Sequence, residues 1–198
     1  MRRIAALVVV AFALVLTACG IPTSGAPQAI GQHDAPYQLL VPSPTSTLPQ
    51  VTAQVTIYLV DTTTARLVPV AREISPPAKP TAMLAALLEG PTTTETAKNY
   101  ISYLSGSPGD VNVTIADGVA TVDFSTNPIQ GEGLGMIQAI AQVVYTATQA
   151  PNVTGVLFEI SGEPIDVPNG ADVLVSTPVT RDMYAAEAPL TTSPSPMS

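Results

Sequence analysis

Residues 111–124, VNVTIADGVATVDF, leave little freedom in what can be built around them. Asp117-Gly118 is a favoured pair for a type I′ turn, whose positive-φ positions twist in the same sense as the flanking strands. A two-residue turn there sets the register: Ala116 faces Val119, then Ile115 faces Ala120, Thr114 Thr121, Val113 Val122, Asn112 Asp123 and Val111 Phe124. The Ile115/Ala120, Val113/Val122 and Val111/Phe124 pairs share one face, and the Thr114/Thr121 and Asn112/Asp123 pairs share the other. A one-residue slip would turn the apolar face outward, so turn chemistry and hydrophobic alternation agree on one hairpin.

The segments around the hairpin have their own periods. Val51, Ala53, Val55, Ile57 and Leu59 alternate with Thr52, Gln54 and Thr56, which predicts a half-buried strand. DTTTA (residues 61–65) makes a turn, and residues 67–74 form a second strand in which Pro69 points to a sheet edge. Met83, Leu84, Leu87 and Leu88 lie on one helical stripe that starts after Pro80 and stops at Gly90-Pro91. A longer helix carries Met136, Ile137, Ile140, Val143, Val144 and Ala147 on its apolar face and Gln138, Gln142, Thr146 and Gln149 on the other, and Pro151 ends it. The glycines of GEGLG (131–135) mark a flexible lead-in to that helix. Val156, Phe158 and Ile160 alternate in a further strand, Ser161-Gly162 turns, Ile165 and Val167 suggest a return strand, and residues 172–176 suggest another. Strands that are polar on one face, with two helices interspersed, predict an α+β fold. The expected form is a two-layer sandwich, a mixed or antiparallel sheet with both helices on one face.

The ends of the chain differ in kind from this centre. Arg2 and Arg3 precede an uncharged apolar run from Ile4 to Leu16, followed by Thr17, Ala18 and Cys19, the only cysteine. A basic segment, an apolar segment and small residues have the anatomy of a secretory signal, and the run is shorter than the ~20 residues a membrane-spanning helix needs. Leu16-Thr17-Ala18-Cys19 resembles the bacterial lipobox, in which the cysteine thiol receives a diacylglyceryl group and the chain is cut before it. The expected organisation is a signal peptide at residues 1–18, a Pro/Ser/Thr-rich linker without apolar period at 19–50, a domain at 51–184, and a disordered Pro/Ser/Thr tail at 185–198. With Cys19 as the lipid attachment site, the protein would sit on the outer face of the cell membrane, since two or more acyl chains hold a protein stably on a bilayer. About thirty extended linker residues would reach at most ~90 Å from it.

Loss of residues 1–18 leaves five basic residues against fifteen acidic ones, a net charge of −10. Such a surface lacks the clustered Lys and Arg that nucleic acid or anionic lipid requires. No catalytic residues assemble from the sequence. His33, the one histidine, lies in the linker, and an acylated Cys19 is no nucleophile. Asp117, Asp123, Glu159 and Glu163 offer carboxylate pairs of the kind glycosidases use, or simply solvated charges. Asp110, Asp117 and Asp123 do not match a calcium loop, no His/Cys cluster suits zinc, and GEGLG lacks the Lys and Ser/Thr of a phosphate-binding loop, so neither metal nor cofactor is expected. For an interaction surface, the polar helix face with Gln138, Gln142 and Thr146, beside Tyr145, is either a docking site or ordinary solvated helix. Tyr58 and Val60, apolar on the polar side of the first strand, suggest that the far side of the sheet meets a partner.

TIYLVD (56–61), LVPVARE (67–73), AMLAALLEGP (82–91), DGVATVDFS (117–125) and QAIAQVVYTATQAPNVTGVLFEISGEPI (138–165) occur in the order found in the GerMN domain of sporulation and germination proteins, which the chain resembles over residues 51–167. CGIPTSGAPQAIG (19–31) and TPVTRDMY (177–184) further resemble actinobacterial lipoproteins of the LpqB type. Those continue into a large β-propeller, whereas the present sequence ends at Ser198. The resemblance implies a non-enzymatic extracytoplasmic interaction module. Its partner would be an envelope or membrane protein such as a sensor kinase, with cell-wall glycan or a small ligand as the alternative.

Overall fold

The computed structural model describes residues 51–190. Cys19, His33, the signal and linker segments and residues 191–198 lie outside the described residues. The elements are β1 (Ala53–Asp61), β2 (Arg66–Ile74), α1 (Pro80–Leu88), α2 (Thr93–Thr96), β3 (Tyr100–Ile101), β4 (Val111–Ala116), β5 (Val119–Phe124), α3 (Leu134–Ala147), β6 (Gly155–Ile160), β7 (Glu163–Pro164), β8 (Val167–Pro168) and β9 (Leu174–Val175). The fold is α+β, as the periodicities predict. Its strands form a three-stranded sheet in the order β2-β1-β3, a four-stranded sheet β4-β5-β6-β7 and a β8-β9 pair, where a single sheet was expected.

The β4-β5 hairpin has the predicted register from Val111↔Phe124 to Ala116↔Val119, with Asp117 and Gly118 at φ of 50° and 80°. Its apolar face is buried along β5, at Ala120, Val122 and Phe124, but β4 climbs out of the core toward the turn and leaves Ile115 48% exposed. β5 runs parallel to β6, a pairing that requires a crossover, and α3 supplies it. On the far edge of β6, Val179 exchanges both backbone hydrogen bonds with Val156.

β2 is an edge strand, as Pro69 indicates. Pro69 lies opposite Tyr58, whose backbone groups turn away from β2, so the absent Pro69 N–H is one that would have faced solvent. β1 departs from the half-buried expectation: from Ile57 to Val60 it is buried on both faces. Tyr58 packs edge-on against Tyr145 of α3 at 5.4 Å between ring centroids, and Val60 belongs to the main core with Ile57, Leu59, Leu84, Leu87, Ile140 and Val144. The far side of this strand is therefore covered by the chain itself, and Tyr58 and Val60 are not available to a partner.

The lead-in to α3 is sharply defined. Gly133 adopts a φ of 56°, and Gly135 in the first turn lies so close under Tyr103 that a Cβ would come within 3.1 Å of the ring. These two glycines are required by a backbone reversal and a close approach. The chain also stays packed beyond the expected domain end at residue 184: Leu67 N–H donates to Glu187 C=O at 2.8 Å, and Ala188 lies against the core.

Candidate functional surface

The polar stripe of α3 is an internal seam. Gln138 is 2% exposed, Gln142 and Thr146 are fully buried, and Tyr145 is 7% exposed, so the docking surface expected at Gln138, Gln142, Tyr145 and Thr146 is corrected. The physical reason lies in β1. Tyr58 directs its N–H and C=O away from β2, where no strand reaches them, and α3 meets both: Thr146 Oγ1 accepts from Tyr58 N–H at 3.2 Å and Gln142 Nε2 donates to Tyr58 C=O at 3.0 Å. Gln142 Oε1 also accepts from Tyr103 N–H at 2.9 Å, and its amide donates to Ser102 Oγ at 3.3 Å. Gln138 Nε2 donates to Ala65 C=O in the β1-β2 turn, and Gln149 Nε2 to the Tyr58 hydroxyl at 2.7 Å. Gln142 and Thr146, four residues apart, thus do the work of a missing strand at Tyr58, because a buried backbone group left unpaired is costly, while Gln138 and Gln149 tie the same stripe to the Ala65 carbonyl and the Tyr58 hydroxyl. α3 occupies this position beside β1, and the two larger sheets remain separate.

At the C-terminal end of α3, Arg181 closes the helix. It lies on a 3-10 turn, Arg181–Tyr184. Its Nη2 donates to Tyr145 C=O at 2.9 Å and its Nε to Thr148 Oγ1 at 2.6 Å, while the guanidinium carbon is 5.0 Å from the Tyr145 ring centroid and 5.9 Å from that of Tyr58. A cation on the last carbonyls complements the helix dipole, and the two ring faces add cation–π attraction. Burial raises the Tyr145 phenol above its ordinary pKa, with the Arg181 charge opposing the shift. Beside this corner a groove of about 400 Å3 is lined by Thr148, Val153, Thr154, Thr180, Arg181 and Asp182. Hydroxyls and one ion of each sign make it polar, and no tyrosine is among these lining residues.

The carboxylates named from sequence are structurally occupied or dispersed. Asp123 Oδ1 accepts from Gly162 N–H at 3.0 Å, holding the β6-β7 turn, and sits opposite Glu159 in the parallel register. Asp117 is in the hairpin turn, and Glu163 is exposed on β7. Among the described residues, no group of three or more His, Cys, Asp or Glu could hold a metal ion. Glu187 is 5% exposed, and its Oε2 has no hydrogen-bond partner among the described residues. Nearby Tyr184 is fully buried and donates to Pro168 C=O at 2.7 Å; desolvation, then the Glu187 charge, raises its pKa.

Two features were missed in the sequence, although Thr92-Thr93-Thr94-Glu95 carries the T-x-x-E signature of a helix capping box. Arg72 of β2 and Glu95 of α2 form a two-pronged ion pair with both N···O distances at 2.6 Å, and Glu95 also closes a capping box with Thr92. Val173, Leu174 and Met183 are exposed, and Gly170 N–H donating to Met183 C=O brings the β8-β9 loop to that 3-10 turn. No helix among the described residues is long and apolar enough to cross a membrane.

The described residues thus form an α+β domain whose central helix hydrogen-bonds the edge of its first strand at Tyr58. The family described as "Germane: Sporulation and spore germination" matches residues 56–166, and the chain belongs to it. Among solved structures, the tandem GerMN domains of the sporulation protein GerM from Bacillus subtilis are 22% identical, with a TM-score of 0.49, 66% of this chain covered and 46% of that one. The first GerMN domain of the same protein gives 22% identity, a TM-score of 0.48 and coverages of 66% and 99%. The chain spans about half the length of the tandem protein. No curated protein matches the chain.

Proposed function

We propose that this protein is a lipid-anchored, extracytoplasmic interaction module that acts without catalysis on another envelope or membrane protein, such as a sensor kinase. The observation that carries the reading is Leu16-Thr17-Ala18-Cys19 at the end of a basic and then apolar leader, joined through a Pro-rich spacer to a domain of the sporulation and germination family. The diacylglyceryl group on Cys19 anchors the chain, and the linker carries the domain away from the lipid headgroups.

Fractionation of cells expressing the native chain and Cys19→Ala tests the anchor. The native protein partitions with membranes and Cys19→Ala does not; a Cys19→Ala protein that stays membrane-bound with unchanged processing would overturn it. The polar groove at Thr148, Thr154, Thr180, Arg181 and Asp182 favours a second reading, recognition of a hydroxyl-rich ligand such as cell-wall glycan.

A further inference from the structure

The groove at the C-terminal end of α3 carries two opposite charges that do not cancel each other. It measures about 400 Å3, and its lining residues all fall between Thr148 and Asp182. That volume lies in the lower part of the roughly 300–1,000 Å3 range of small-ligand sites. The one salt bridge among the described residues joins Arg72 to Glu95, so Arg181 and Asp182, neighbours on the 3-10 turn, do not pair with each other. Both charges act on the same spot. Burial raises the pKa of the Tyr145 phenol, the Arg181 charge opposes the rise and the Asp182 charge adds to it.

The positive charge is held in place before any ligand arrives. Arg181 donates from Nε to Thr148 Oγ1 and from Nη2 to Tyr145 C=O, two of the five N–H donors of a guanidinium. Thr148 Oγ1 is itself fixed, because it donates to Val144 C=O at 2.6 Å. A cation anchored in this way loses little freedom on binding. Asp182 is exposed on the same wall, Thr154 Oγ1 donates to Gly118 C=O at 3.3 Å, and the side of Val153, 5% exposed, is apolar.

This wall selects by charge. A ligand with one charge is attracted by one side chain and repelled by the other, and a neutral ligand gains from neither. A small ligand with an ammonium and a carboxylate is attracted by both. A quaternary ammonium would ask for an aromatic cage, and no aromatic ring is among the lining residues, whereas a primary ammonium donates to a carboxylate and to hydroxyl oxygens. We propose that this groove binds the zwitterionic end groups of a free amino acid or dipeptide, Arg181 taking the carboxylate, Asp182 the ammonium, and Thr154 and Thr180 hydrogen-bonding beside them. The inference goes beyond the interaction role proposed above and needs neither the lipid anchor nor a glycan.

NMR titration of the chain from residue 19 to 198 carrying Cys19→Ser tests this. The probes are alanine, alanylalanine, N-acetyl-alanylalanine, which keeps only the carboxylate, alanylalanine amide, which keeps only the ammonium, and N-acetylglucosamine. Saturable shifts of the Thr154, Thr180 and Asp182 amides are expected with alanine or alanylalanine, whichever spans the two charges, and at least threefold weaker binding of both blocked dipeptides. In Asp182→Asn, whose side chain has no part in closing α3, the favoured zwitterion weakens at least threefold while N-acetyl-alanylalanine binds as well or better, because its repulsion is gone. An absence of saturable shifts at about 20 mM of either zwitterion would overturn the proposal. Blocked dipeptides that bind as tightly as alanylalanine would also overturn it, and N-acetylglucosamine alone shifting these amides would assign the groove to a neutral sugar instead.

Discussion

Replacing Gln142 by Met keeps the volume of the side chain and removes every hydrogen bond it makes. Tyr58 C=O, on a residue 8% exposed, loses its α3 partner, and Tyr103 N–H, on a half-buried residue, loses Gln142 Oε1. Each buried group left unpaired costs about 1–3 kcal/mol. Ser102 Oγ, near the surface, regains water, and the thioether relieves the desolvation of the amide by about 1 kcal/mol. The expected net loss is about 2–4 kcal/mol, a large share of the 5–15 kcal/mol typical of a domain. Urea denaturation of the Cys19→Ser chain, followed by circular dichroism, should show the midpoint falling by roughly 1–2 M at an unchanged slope. Gln149→Ala is the internal contrast: Gln149 is exposed and makes one bond, to the Tyr58 hydroxyl, so its loss should cost under about 1 kcal/mol. If Gln142→Met lies within about 0.5 kcal/mol of the parent, the stripe is solvated and the seam does not exist.

Glu95 links stability to pH. Its hydrogen bonds from Arg72, against the opposing effect of burial, hold its pKa at about 2, below the ordinary 4.5. A lowered folded pKa contributes stability that is complete above the unfolded value and is lost as pH falls from about 4.5 toward 2. With both side chains 13% exposed and water in reach, the loss is on the order of 1–2 kcal/mol, and in Arg72→Met the urea midpoint should become much flatter across that window. Gly118→Ala places a side chain at a φ of 80° with its Cβ 3.2 Å from Asn152 C=O, and should cost about 1–3 kcal/mol in the same assay.

The hairpin was legible because its information is local: Asp117-Gly118 specifies the turn and six alternating residues on each side confirm the register. The α+β class and the edge position of β2 followed from similarly short-range signals, Pro69 among them. The α3 seam was not legible. An amphipathic pattern says which side chains are polar, and it is ordinarily read as core against solvent. Here Gln142 and Thr146 find their partners on Tyr58, 84 and 88 residues away, where the polar groups face an unpaired strand edge. The same holds for Arg72 and Glu95, ordinary surface residues until β2 and α2 meet. With the expected docking surface removed, the exposed Val173, Leu174 and Met183 and the polar groove beside Arg181 are among the features that remain accessible on the domain.

The central claim, that a lipid-held domain of this family engages an envelope protein, is tested most directly by crosslinking the intact protein in its native membrane. The captured material is identified by mass spectrometry, with Cys19→Ala as the control. The account predicts one dominant membrane or envelope protein, recovered with the native chain and depleted with Cys19→Ala. Capture of glycan fragments alone, or of the same partner at the same yield without Cys19, would contradict it.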